Sequence, residues 1–439
     1  MKDGKYWNID IECMSQQDIR RLQLEKLREI ISYASMNSSF YRNKFEKLNV
    51  SVEDLNSLSD ISKFPFIDKQ DIRLDQEKEG FLGNMVAVSE EEIVYIASSS
   101  GSTGVPTISP FNKHDIDIMN DCSSRAFWQT GVREKDRYIH LLNFSLFISG
   151  MGPFGPMNLG ATTIFGGTLP SDRLLYIMEK FQPTVMGTSP SYAWQLGNKA
   201  KELGIDPKTD LNIRRIITGG EIGGSNSATR KEIEDLWGAK VYDFYGMSDI
   251  FPPFASECIN QNGLHLMEDQ VFTEVVDPIS NVQLPDGEIG ELVFTALTKT
   301  ARPMIRFKSG DLGYICNEPC SCGNTHRRIY IKGRVDNMII VSGVNVFPSD
   351  IETAMKSING TTGEYVVHIF EKDKTTKFSI DVEKTRDSLL SDLELKELIE
   401  NEIKKIVGVK PETISVFKEK ELQNNNINKT NRFIDERYK

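Results

Sequence analysis

Three places in this 439-residue chain bring together residue types that do chemistry. The first is SSSGSTGVPT, Ser98 to Thr107, directly after the apolar run EEIVYIA. Glycine lets backbone N–H groups turn inward and approach a ligand closely, and hydroxyls add further donors. That combination suits an anion rich in oxygens, above all a polyphosphate. The P-loop spelling G-x-x-x-x-G-K-[ST] is missing, because Val105-Pro106 stands where Lys-Ser/Thr would be. A solvated Ser/Gly linker has similar composition, but a strand before the stretch and Pro106 near its end mark a bounded loop. The second place holds Cys258 and His265 as C-x6-H, then Cys316, Cys320, Cys322 and His326 as C-x3-C-x-C-x3-H. Four N/S ligands suit a closed tetrahedral zinc site, with two from each hairpin clamping two β segments together. Two ligand sets are open: Cys258, His265, Cys320 and Cys322, or a local set in which Cys316 and His326 replace the upstream pair. Reduced, unliganded thiols are the third alternative. The third place is Lys429 in NKTNR, which in isolation reads as solvated surface.

The elements that must position these residues follow from periodicity. Gln17 to Leu48 carries Leu22, Leu24, Leu27, Ile30 and Ile31 at helical spacing. From Ile93 to about Tyr245, short apolar runs (RYIHLLNF, ATTIFGG, PTVMGTSP, RRIITGG, AKVYDFYG) alternate with helical stretches, several ending in Gly, Ser or Thr. Strand, glycine turn and helix in repetition predict an α/β sheet with ligands at the strand C-termini. Beyond Gly263 the strands crowd together, which predicts a β-rich subdomain spanning about 258–330. The last hundred residues, with EYVVHIF, KFSIDVE and a Lys/Glu-rich helix near 393–406, read as a small separate α+β domain. Domains of 1–335 and 336–439 are therefore expected.

Composition narrows the function classes. With 52 basic against 63 acidic residues the formal charge is −11, which disfavours a nucleic-acid partner held through phosphates. The apolar stretch Leu141–Gly167 contains Asn, Ser, Pro and repeated Gly, fitting buried strands and turns better than a membrane helix. No apolar signal core follows the first methionine, so a cytoplasmic protein with reduced cysteines is expected.

The motifs gain specificity from their order. The Ser/Gly loop, YGMSD (245–249), SGDLG (309–313), KGRVDNMIIVSGVNVFPSDIE (332–352) and NKTNR (428–432) occur in series. The series resembles the acyl-adenylate-forming superfamily, and specifically its phenylacetate–CoA ligase-like branch. LQLEKLREIISYASMNSSFYRNKF, KFPFIDKQDIR, PTVMGTSPSYAWQL and GLHLMEDQVFTEVVDP extend the branch resemblance over nearly the whole chain. It implies a large N-terminal domain with α/β sheets and a β-rich subdomain, plus a small mobile C-terminal domain. It also implies ATP-dependent activation of a small aryl or arylalkyl acid to an acyl adenylate, then transfer to CoA, with Mg2+ as cofactor and a homodimer as assembly. Loading a carrier-protein phosphopantetheine or an amine is the alternative, and a non-catalytic binding protein of the same fold is a third.

The resemblance assigns roles by position. Ser99, Ser100, Gly101, Ser102, Thr103 and Gly104 would cover the β- and γ-phosphates. Tyr245 would stack on adenine with Ser248 near the α-phosphate, Asp311 would accept the ribose hydroxyls, and Arg306 and Arg334 would bring positive charge toward ribose and phosphates. Gly220, Glu221, Asp243 and Gly246 complete the implied nucleotide site. Asp249 stands where the family usually has a magnesium-binding Glu, one methylene longer. Asp336 falls on the family's hinge. Lys429 matches its catalytic lysine, with Asn428 replacing the usual preceding glycine, a mild change because Asn tolerates the left-handed conformation. The acyl pocket would draw on Phe144, Phe147, Gly150, Gly152, Ser189, Gly219 and Phe251; glycines leave room for a flat ring and Phe rings stack on it. Of the two zinc sets, Cys258, His265, Cys320 and Cys322 resembles a structural zinc site found in part of this branch. GGEIGG (219–224) and Phe251-Pro-Pro-Phe254 depart from the branch's wording where substrate choice is made, so the expectation is the class, a small aryl or arylalkyl acid, without singling out phenylacetate.

Overall fold

The computed structural model describes residues 4–98, 107–143, 148–221, 223–335, 339–341, 344–346, 348–372, 375–424 and 432–436. They fall into two compact units, one of residues 1–225 and 229–331, the other of residues 226–228 and 332–439.

In the first unit the short helix Ile9–Glu12 precedes the long helix Gln16–Asn37, which is started by the Ser15 side chain accepting from the Asp18 N–H. Leu27, Ile31 and Ala34 recur at helical spacing and face the main core. The alternating region forms five short parallel strands, lying side by side in the order Lys240–Tyr245, Arg215–Thr218, Val185–Thr188, Arg137–His140 and Thr162–Phe165. Four of the five predicted runs are buried on both faces or nearly so, as a helix-covered parallel sheet requires; Thr162–Phe165 is the half-exposed edge. Turns leaving their C-terminal ends enter the helices Ser171–Phe181, Pro190–Glu202 and Ser227–Trp237 or the YGMSD turn.

The β-rich part continues the same sheet. From Lys240–Tyr245 the order runs on through Ala255–Glu257, Leu264–Leu266, Arg328–Arg334, Phe307–Cys316, Gly290–Ala296 and Val271–Val276, making eleven strands. Within Leu141–Gly167, the described residues hold the strand Thr162–Phe165 and the short helices Ile148–Met151 and Phe154–Asn158, which the strand-and-turn expectation missed. Among the described residues no helix is long and apolar enough to cross a membrane.

The second unit is built on a four-stranded sheet in the order Ile414–Lys418, Thr375–Lys384, Thr361–Lys372, Phe433–Asp435. The helix Asp392–Val407 starts at a Ser391/Glu394 capping box, ends at Gly408 with φ of 86°, and buries Leu395, Ile399 and Ile403 against Phe378 and Ile380.

Candidate active site

Tyr245 ends the central strand, and its hydroxyl donates to Asp311 Oδ2 at 2.6 Å. SGDLG lies within the strand Phe307–Cys316. The register against Gly290–Ala296 slips between Glu291 and Val293, so Ser309, Gly310 and Asp311 bulge out of the ladder. Gly310 takes φ of 72°, and Ser309 Oγ accepts the Asp311 N–H at 3.0 Å, aiming the carboxylate at Tyr245. The Tyr245 ring is set by Phe254 at 5.4 Å edge-on and Phe294 at 5.9 Å. A side chain at Gly246 would put its Cβ 2.6 Å from Pro252 Cα, so the turn after Tyr245 admits only glycine. The result is a fixed aromatic ring beside a carboxylate acceptor, at the ends of the strands.

Asp243, on the same strand as Tyr245, is a buried acid. It accepts from Thr218 Oγ1 at 3.1 Å, and its N–H donates to Glu257 at 2.9 Å. Burial pushes the Asp243 carboxyl up to about 7, and the nearby Glu257 charge adds to the shift. Arg230 donates to both Glu257 oxygens, at 2.7 and 2.6 Å. Gly224 closes over the site, since a Cβ there would sit 2.0 Å from Thr218 Oγ1 and 2.5 Å from Asp243 Oδ1. In the same GGEIGG segment, Gly220 takes φ of 84°, and a Cβ on Gly219 would crowd the Phe244 carbonyl at 3.2 Å. Glu221 accepts the Ser191 N–H at 2.7 Å at the start of the helix Pro190–Glu202, which Ser189 caps. Ser189 and Glu221 thus meet at one helix start.

Asp249 is employed otherwise than expected. It is buried, with Lys69 Nζ at 2.6 Å from Oδ2 and Arg302 Nη2 at 2.9 Å from Oδ1, while Lys299 Nζ donates to its carbonyl at 2.8 Å. Burial pushes its carboxyl up, but Lys69, Arg302 and Lys299 more than offset that and hold it below the ordinary range. With a cation already on each oxygen, Asp249 does not fit a magnesium ligand. Ser248 joins through its carbonyl, which accepts from Ser109 Oγ at 2.5 Å.

Arg306 and Phe251 are also corrected. The Arg306 guanidinium pairs with Glu274 (2.8 and 3.1 Å), donates to the carbonyls of Ser62 and Phe64, and lies 3.8 Å from the centroid of the Phe66 ring. Four of its five N–H donors are spent on Glu274 and on fastening the 62–67 segment to the sheet, and the side chain is buried away from an open nucleotide site. Phe251 is 1% exposed in the main core, edge-on to Phe254, so it packs the core and does not wall an open pocket.

Among the pocket candidates, Gly150 lies in the short helix Ile148–Met151. A Cβ on Gly152 would touch the His140 ring at 3.0 Å. Arg334 ends the strand Arg328–Arg334 and belongs to the second unit. Ser99, Ser100, Gly101, Ser102, Thr103, Gly104, Phe144, Phe147, Asp336 and Lys429 lie outside the described residues.

Away from the strand ends, Cys258, His265, Cys320 and Cys322 converge, with their ligand atoms all within 4.8 Å of one another. Cys258 Sγ lies 3.8 Å from Cys320 Sγ, and Cys322 Sγ lies 3.4 Å from His265 Nε2. A tetrahedron with 2.3 Å metal–sulfur bonds has edges of about 3.8 Å, so the donor set fits zinc. Hydrogen bonds from Cys258 and His265 push the Cys322 thiol down, and His265 Nδ1 is oriented by the His326 carbonyl at 3.0 Å. The local alternative is not assembled. Arg328 donates toward Cys316 Sγ at 3.5 Å, while the two His326 ring nitrogens face the Leu266 and Ile11 carbonyls at 2.9 and 3.0 Å.

Residues 20–297 match the family model for AMP-binding enzymes, and residues 343–437 match its C-terminal domain model. The chain belongs to the AMP-binding enzyme family. This AMP-binding enzyme is 34% identical to the phenylacetate-coenzyme A ligase of Pseudomonas putida, over 85% of this chain and 83% of that one. It is 32% identical to the Aromatoleum evansii phenylacetate-coenzyme A ligase over 98% and 97%. Among solved structures it is similar to 2-hydroxyisobutyryl-CoA ligase in the postadenylation state in complex with R3-HIB-AMP. That match has a TM-score of 0.88 and 27% identity, and it covers all of this chain and 94% of the other.

Sequence reasoning missed Lys69, Ser109, Lys299 and Arg302. Lys69 stands in KFPFIDKQDIR, quoted above only as family wording, and LTKTARPM sets two basic residues in an apolar setting, a signal for buried cations with an anion to find.

Proposed function

We propose that this AMP-binding enzyme activates a small carboxylic acid, aryl or arylalkyl in kind, with ATP and passes the acyl group to CoA. The carrying observation is the Tyr245–Asp311 pair, an aromatic ring and a carboxylate acceptor locked together at the strand ends of a chain in this family. The similarity to phenylacetate-coenzyme A ligases along nearly the whole length supports the acid–CoA pairing.

A carboxylate resists nucleophiles because it is charged and oxide leaves poorly. Its oxygen attacks the α-phosphorus of ATP, the bond to pyrophosphate breaks, and an acyl adenylate results. The CoA thiol then attacks the acyl carbon and AMP leaves. Catalysis is mainly positioning and charge neutralisation. In this proposal Tyr245 holds adenine, Asp311 accepts the ribose hydroxyls, Ser99–Gly104 hold the departing pyrophosphate, and the Lys429 ammonium offsets repulsion between the two anions. Asp336 is the proposed hinge. ATP enters as its magnesium complex, with no magnesium ligand assigned to Asp249. Cys258, His265, Cys320 and Cys322 would hold one zinc, which supplies a structural cross-link and no open coordination position.

The test is a screen of aryl and arylalkyl acids for acid-dependent pyrophosphate–ATP exchange, followed by chromatography for acyl-CoA once CoA is added. Exchange with at least one acid and formation of its CoA thioester are expected. Exchange that never yields acyl-CoA would overturn the acceptor, and no exchange with any acid would overturn adenylation.

A further inference from the structure

The cations around Asp249 form more than a pair. Lys299, 1% exposed, donates to Ser109 Oγ at 3.0 Å and to the Asp249 carbonyl at 2.8 Å. Arg302, also 1% exposed, donates to the Ile108 carbonyl, to Ser109 Oγ at 3.2 Å and to Asp249 Oδ1 at 2.9 Å. Ser109 Oγ in turn donates to the Ser248 carbonyl. The turn carrying Lys299 and Arg302 is pinned by Asp115, whose oxygens accept the Thr300 and Ala301 N–H groups at 2.7 and 3.0 Å. Lys69 reaches in from the first turn of the helix Lys69–Glu79. Four segments distant in sequence therefore meet in one network: Lys69 and Arg302 bond the Asp249 carboxylate of the YGMSD turn, and Ser109 of the strand Ile108–Asn112 joins Lys299, Arg302 and the Ser248 carbonyl.

A fully buried lysine beside a fully buried arginine is costly unless both are bonded to an anion. Asp249 meets both: its carboxylate bonds Arg302 and its backbone carbonyl accepts from Lys299, and it sits four residues after Tyr245. Ile108 and Ser109 begin the strand that follows the Ser/Gly loop in the chain.

We propose that Asp249 is a positioning residue, the centre of a clasp with Lys69, Lys299 and Arg302 that fixes the YGMSD turn, and with it Tyr245, against the strand Ile108–Asn112. It acts through the turn and not through magnesium; the inference rests on the nucleotide site proposed above. A carboxylate wedged between two cations has no slack for another methylene, so Asp249→Glu disturbs the clasp although Glu is the family's usual residue there.

AMP binding measured by calorimetry in EDTA separates the two roles, because no magnesium takes part. Asp249→Asn and Arg302→Met are each expected to weaken AMP binding about tenfold. The double variant should be no more than about twofold worse than the poorer single variant, since one interaction is lost in all three. Asp249→Glu should also weaken binding. Lys69→Met, at the more exposed edge of the clasp, stands in if Asp249→Asn does not fold. Wild-type affinity in Asp249→Asn or Lys69→Met, with a several-fold rise in the magnesium concentration needed for half-maximal exchange, overturns the clasp and restores the metal role. If the wild type binds no AMP, the nucleotide-site proposal falls, and the clasp is then decided by unfolding. A double-mutant cycle on Asp249 and Arg302 should couple by at least tenfold in the unfolding constant, and additivity overturns it.

Discussion

Asp243→Asn should flatten the pH dependence of stability. In the folded chain burial lifts this carboxyl from 3.8 to about 7, with Glu257 adding to the shift. A raised folded-state value means that Asp243 favours the folded form below about 3.8, and this advantage is lost progressively as pH rises to about 7. Between pH 5.5 and 8.5 the relevant interval runs from 5.5 to about 7, roughly 1.5 pH units, and at 1.36 kcal/mol per unit the loss is about 2 kcal/mol. An Asn amide has no charge to desolvate and can accept from Thr218 Oγ1 as the acid does. Urea unfolding followed by tryptophan fluorescence at both pH values measures the effect. Groups common to both proteins, His265 included, cancel in the difference. The wild type should lose about 2 kcal/mol more than Asp243→Asn on going to pH 8.5. Equal losses in the two proteins would refute a buried, protonatable Asp243.

Purified protein should carry close to one zinc per chain. Cys322→Ser should lower metal content and melting temperature together, whereas Cys316→Ser should retain the metal; metal analysis that finds no zinc in chelator-free preparations contradicts the site. Arg306→Met should destabilise the fold by about 3–5 kcal/mol, the cost of stranding the buried Glu274 charge. Its nucleotide affinity should be unchanged in the fraction that folds, and a selective loss of ATP affinity at wild-type stability would return Arg306 to the site. Lys429→Ala should lower adenylate formation by about 10²–10³ in rate, by analogy with loss of one transition-state donor, yet make thioester from presynthesised acyl adenylate and CoA at near wild-type rate. Both steps surviving would mean that another lysine does this work.

The parallel strands at the site were legible because they announce themselves as apolar runs, several ending in a glycine or hydroxyl, from RRIITGG to AKVYDFYG, whereas their order in the sheet is seen only in the fold. The choice of zinc ligands was not settled by spacing, since Cys316 and His326 fit a coordination pattern as well as Cys258 and His265 do. Only the fold shows Cys316 against Arg328 and His326 between two carbonyls. Arg306 and Asp249 misled for a common reason. A charged residue near a nucleotide motif looks like a ligand until its buried partner is known, and Glu274 and Arg302 are distant in sequence from the residues they neutralise. The sequence does not show the backbone that presents Asp311: it sits in a bulge inside a long strand, where Gly310 supplies the positive φ.

The most direct test of the account is a single turnover without thiol. Enzyme in excess over ATP is mixed with an acid that supports exchange, quenched in acid and analysed by mass spectrometry. The account predicts one acyl-AMP and one pyrophosphate per ATP consumed, with acyl-AMP disappearing into acyl-CoA when CoA follows and with Asp311→Ala accumulating little of it. ATP consumed to ADP and phosphate, or to AMP with no acyl-AMP formed, would contradict adenylation as the chemistry of this site.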